Sequence, residues 1–192
     1  MAKRKNYKPL IALVALAAAA LVAAAVTFTN VTYWLINATL PPAMKYPGDD
    51  TAVAGGQYVK VSYYYDSDRG INITRISIIG FTGDPTNYTS VIKVCNKYGT
   101  TPITAKLAWV GPVTTTGHEN YIRAFLVKGP DGRGVGFVGT TTYNTAGPYT
   151  INPGQCIDIG AYVVIDPAIP LHLANGRTVL GQYQVDIRMR PS

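Results

Sequence analysis

The sequence predicts an all-β chain: a jelly-roll or Ig-like two-sheet β-sandwich preceded by an N-terminal apolar signal helix. Three observations predict it. Apolar residues recur with period two, most cleanly where Val179, Gly181, Tyr183, Val185, Ile187 and Met189 interleave with Leu180, Gln182, Gln184, Asp186, Arg188 and Arg190. Turn-forming pairs punctuate the chain at Gly83-Asp84-Pro85, Asp131-Gly132, Asn152-Pro153-Gly154 and Asn175-Gly176. The acids are nine Asp and a single Glu, Glu119, a balance that favours turns over helices.

The leader comes first. Lys3, Arg4, Lys5 and Lys8 stand ahead of an apolar run from Leu10 to Val26 that ends in Ala23-Ala24-Ala25. A basic start, an apolar centre and small residues at −3 and −1 are the parts of a secretory signal, so residues 1–25 are expected to be removed and the chain to work outside the membrane. Two alternatives stay open. The run is close to the ~20 residues that span a bilayer, although it is rich in weakly apolar Ala. It could also be a type IV pilin-like leader kept as a filament-core helix, although Asn6-Tyr7-Lys8-Pro9 occupies the place where such leaders carry a basic residue and a Gly or Ala.

Residues 26–40 then read as a strand, with Val26, Phe28, Trp34, Ile36 and Leu40 at even positions. Pro41, Pro42, Pro47 and Gly48 interrupt the pattern, and residues 41–50 are expected to be a Pro-rich linker. The β-sandwich domain is expected over 51–192. Val59, Val61, Tyr63 and Tyr65 alternate with Lys60, Ser62 and Tyr64 in its first strand. Further strands are expected near 71–81, 89–96, 102–110, 120–128, 134–143 and 155–166, giving eight or nine in all.

Charge and cysteines narrow the function. Four of the 17 Lys and Arg fall in the leader, leaving 13 against 10 acids, too weak and scattered a balance for nucleic acid. Cys95 and Cys156 are the two cysteines, and in an extracellular chain they are expected to pair as a disulfide. No CxxC accompanies them, and His118 and His172 are distant in sequence, so no metal or cofactor is expected. No Gly-x-Ser-x-Gly is present and His118-Glu119 has no second His four residues on, so the chain is not read as an enzyme.

Other motifs have plain readings. Asp66-Ser67-Asp68-Arg69-Gly70 hints at a calcium loop but lacks the closing Glu and reads as a turn. Gly132-Arg133-Gly134-Val135-Gly136 reads as a hairpin, because no helix start follows to cradle a phosphate. Asn30, Asn37, Asn72 and Asn87 each head an Asn-x-Thr sequon and are glycosylation candidates. The 14 Tyr are explained by strand propensity.

The order of parts resembles the TasA-like and camelysin-like biofilm fibre proteins, closest to archaeal bundling pilin subunits. The residues that carry the resemblance are the Ala-rich signal end and the strand-like 26–40 that follows it. Two further stretches belong to it: Val94-Cys95-Asn96-Lys97-Tyr98-Gly99-Thr100-Thr101-Pro102-Ile103, and Ile151-Asn152-Pro153-Gly154-Gln155 leading into residues 157–165. The cysteine pair and the Pro-rich stretch depart from it. The resemblance implies a jelly-roll subunit of an extracellular pilus or biofilm matrix fibre. Its partners would be identical subunits, and neighbouring filaments in bundles, with the membrane met during secretion alone. Subunits would join by donor-strand complementation, residues 26–40 of one completing the sheet of the next. The physics agrees: a free strand of this kind is an aggregation hazard unless it pairs. The rivals are an ordinary first strand in its own subunit, and a monomeric surface-anchored binding module.

Overall fold

The computed structural model describes residue 41, residues 43–68 and residues 70–191. The leader, the 26–40 segment and the sequons at Asn30 and Asn37 lie outside the described residues.

Period-two patterning becomes eleven strands among the described residues. They are β1 Ala43–Pro47, β2 Val59–Asp66, β3 Ile71–Ile78, β4 Thr86–Asn96, β5 Ile103–Thr114, β6 Ile122–Lys128, β7 Gly134–Val138, β8 Thr141–Tyr143, β9 Thr145–Ile151, β10 Cys156–Ile165 and β11 Gln182–Pro191. They pair antiparallel throughout. A six-stranded sheet runs β1-β4-β10-β6-β7-β8, a three-stranded sheet runs β11-β5-β9, and β2 pairs with β3 alone.

The fold is sandwich-like because one core is shared. Ile92 and Val94 of β4, Ile159 and Ala161 of β10 and Val135 of β7 meet Ile103, Ala105 and Leu107 of β5 and Ala146, Tyr149 and Ile151 of β9. Val59 of β2 joins the same cluster. Each large apolar side chain so buried contributes about 1.5–3 kcal/mol. Trp109 of β5 and Tyr183 of β11 meet Phe125 of β6 and Phe137 of β7, with Phe125 and Tyr183 stacked at 5.3 Å between centroids, so aromatic rings also tie the two larger sheets together. A second, smaller cluster of Val163, Ile165 and Ile169 packs with Ile78, Leu173 and Leu180.

Two expectations are corrected. Residues 41–50 are not all linker: β1 lies inside them, running from Ala43 opposite Asn96 to Pro47 opposite Ile92. The ladder tolerates Pro47 because it is the last residue of an edge strand, where a missing N–H costs no cross-strand bond. The turn beyond is tied to β4, with Gly48 N donating to Val91 O, Asp49 N to Ser90 Oγ, and Ser90 N to Asp50 Oδ2. The single strand expected over 134–143 is two, β7 and β8, because Gly139 turns the chain with φ +57°. β9 was not expected at all.

The Gly132–Gly136 stretch forms the β6–β7 hairpin. Gly136 sits there at φ +136°, and a Cβ would drive into the Phe125 carbonyl of the neighbouring strand. Gly136→Ala is therefore expected to lower stability by about 2 kcal/mol, read as a shift in the urea midpoint at unchanged slope.

Candidate functional site

The disulfide is formed. Cys95 of β4 and Cys156 of β10 face each other across adjacent strands, with Cα atoms 3.9 Å apart. Beside it, the fully buried Asn96 gathers three chain segments. Its Nδ2 donates to Thr101 O and Ile151 O, its backbone N donates to Gln155 O, and its carbonyl accepts from Gly154 N.

Among the described residues the β2–β3 hairpin exposes several large apolar side chains, Tyr63, Tyr64, Tyr65, Ile71 and Ile76. Pairing puts Val59, Val61, Tyr63 and Tyr65 on one face with Ile78, Ile76, Thr74 and Asn72. Along that face exposure climbs from 1% at Val59 to 49% at Tyr63 and 64% at Tyr65, so a surface that starts in the core continues outward to solvent. On the other face the Arg75 guanidinium lies 5.3 Å from the centre of the Tyr64 ring. The turn at the tip is closed by Asp68 N donating to Asp66 Oδ1, the plain Asx turn expected of this sequence.

Two neighbours define the surroundings of the hairpin. Tyr63 has its phenol pushed up by burial and then by Tyr46 of β1. Lys45 of β1 is pulled down by burial, against the opposing charge of Asp186 on β11. So β1 feels the charge of a residue on β11 and a residue of the hairpin feels β1. Alternation marks Tyr63 and Tyr65 as strand residues and nothing more; the involvement of Lys45 and Tyr46 is hidden because they sit between Pro42 and Pro47.

The remaining candidates are dispersed. Asn72 is exposed on β3. Asn87 is exposed on β4, where its Oδ1 accepts from Lys128 Nζ at 2.8 Å. Asn87 also lines an open cleft of about 410 Å³ with Lys128, Cys156, Asp158 and Gly160. Asp158 there accepts from Ser90 Oγ. His118 flanks the short helix Glu119–Tyr121, and His172 lies in the loop before β11. Among the described residues no three His, Cys, Asp or Glu side chains come together as a metal site would need. No described helix is long and apolar enough to cross a membrane.

A buried tyrosine paired with an exposed aspartate has a distinct electrostatic signature. Tyr149 OH donates to Asp131 Oδ1 at 2.9 Å. Burial first, then that hydrogen bond and the carboxylate charge, push the phenol up to about 12. A tyrosine raised in the folded state stabilises the fold below its unfolded value, near 10, and that contribution is lost as pH climbs from there to about 12. Tyr149→Phe is expected to flatten the fall in stability across that alkaline window, measured by denaturant titration at successive pH values. An unchanged slope would show that Tyr149 titrates normally.

Comparison with protein-family models and with curated proteins finds no match to this chain.

Proposed function

We propose that this chain is the structural subunit of an extracellular filament, a pilus or biofilm matrix fibre of the TasA and camelysin kind, assembled by donor-strand complementation. The observation that carries this reading is a pair of matching needs. The β2–β3 hairpin pairs with no other strand among the described residues and exposes Tyr63, Tyr65 and Ile76. The chain also carries, ahead of β1, a strand-like segment whose apolar residues Phe28, Trp34, Ile36 and Leu40 share one parity. Backbone pairing between subunits satisfies both, giving affinity through the ladder and specificity through alternate side chains. The disulfide fits an oxidising compartment, in keeping with export directed by residues 1–25. The sandwich is read as a jelly roll.

Negative-stain imaging of the native surface fraction tests this. Thin unbranched filaments containing the chain are expected. A monodisperse monomer in the same fraction overturns the reading and leaves a surface-held binding module, with the cleft between Asn87 and Asp158 as its site.

A further inference from the structure

The two faces of the β2–β3 hairpin are finished differently. On one, the Tyr64 ring carries the Arg75 guanidinium. On the other, Tyr63 and Tyr65 stand exposed, and among the described residues no cation covers either ring. Two residues of strand separate them by about 7 Å, so together they make a short aromatic platform.

Opposite Tyr65 lies Asn72, and opposite Tyr63 lies Thr74. These are the first and third residues of Asn72-Ile73-Thr74, the acceptor pattern for sugar attachment in exported chains. Period two puts both on the tyrosine face. Directly opposed residues have Cβ atoms about 4.5–5.5 Å apart. The Tyr65 ring also leans toward the β3 side of the hairpin. A Cβ added at Gly70, two residues before Asn72, would sit 3.7 Å from its hydroxyl oxygen. An exposed acceptor amide and an uncovered ring are therefore neighbours.

The contrast is with Asn87 of β4. It too faces a tyrosine, Tyr162 of β10. There the platform is taken: Lys128 Nζ lies 5.9 Å from the centre of the Tyr162 ring and donates to Asn87 Oδ1. A sugar on Asn87 would have to displace that ammonium, whereas a sugar on Asn72 displaces water.

We propose that Asn72 is an N-glycosylation site whose first pyranose ring rests on the Tyr65 ring. A pyranose has a face made of C–H groups, and laying it on a phenol ring removes apolar surface of both from water. The donor is a sugar carried on a lipid pyrophosphate. Asn72 Nδ2 bonds to the anomeric carbon, the bond from that carbon to the pyrophosphate oxygen breaks, the pyrophosphate leaves as an anion, and one amide proton passes to a base of the transferase. Nothing is oxidised or reduced. The glycan covers a face of the hairpin, whereas pairing with another chain uses its edges, so the proposal requires export and stands apart from the filament reading.

Trypsin separates the two sequons, leaving Asn72 on residues 70–75 and Asn87 on residues 76–93. Mass spectrometry of the chain from its native surface fraction is expected to find whole sugar residues added to 70–75 and retained on Asn72 in fragment ions, with 76–93 unmodified. A bare 70–75 peptide overturns the proposal, whatever 76–93 carries. The ring contact has its own readout, urea unfolding of four chains made in the native host: unsubstituted, Asn72→Gln, Tyr65→Ser and both. Asn72→Gln is expected to lower the midpoint by at least about 0.3 M at unchanged slope when Tyr65 is present and to leave it unmoved in the Tyr65→Ser background. Equal shifts in the two backgrounds overturn the contact with Tyr65.

Discussion

Deleting residues 26–40 is expected to give soluble monomers and to abolish fibres completely, with strand content otherwise retained. The described residues build a shared core of their own, with members from Ala43 to Ile187. What the deletion removes is the proposed joining element. Burial of Phe28, Trp34, Ile36 and Leu40 would contribute roughly 1.5–3 kcal/mol each, and no weaker surface contact replaces a sum of that kind. Size-exclusion chromatography and electron microscopy of the deleted and full chains read the outcome. Fibres of normal appearance from the deleted chain would sink the donor-strand reading and leave the segment as decoration. The sequons sharpen the test. Asn30 and Asn37 have opposite parity, so glycans on both would force both strand faces to solvent. A fully seated segment is therefore expected to carry at most one.

Replacing both cysteines, Cys95→Ser with Cys156→Ser, is expected to cost about 4 kcal/mol, which for a domain of this size lowers Tm by roughly 10 °C. The basis is a bridge across 61 residues of chain, which removes a large share of the freedom of the unfolded state. Scanning calorimetry of the native and doubly substituted chains measures it. A shift below about 2 °C would show that the ladder between β4 and β10 already supplies the constraint.

What was legible in the sequence follows from what is local. β2, β10 and β11 could be read because alternation and flanking turns are properties of ten consecutive residues. The Cys95–Cys156 bond could be read from compartment and number. β1 was obscured because Pro47 counts against a strand until it is known to lie at an edge. β9 was obscured by Gly147 and Pro148 in its middle, tolerable because β9 is likewise the end strand of its sheet. The β7–β8 division turned on Gly139, one residue in a run that otherwise looks continuous. The candidate site was the least legible. Tyr63 and Tyr65 look the same whether a strand lies within a sheet or stands apart, and local alternation does not report that β2 and β3 pair only with each other among the described residues.

The bridge at the end of β4 also sets a load path. If the chain forms fibres as proposed, tension arriving from the N-terminal side would reach β1 first. Ala43 lies opposite Asn96, and Met44 opposite Cys95, which is itself bonded to Cys156. Pulling along the strand axis loads all five positions of β1 in shear, and a crack that passes them meets a covalent bond at the first rung of the next ladder. The sheet cannot be peeled beyond β4 from that end. Under the proposed filament reading, extension from that end would stop at β1 while the bridge holds, and reduction of Cys95–Cys156 would let the strands beyond it yield.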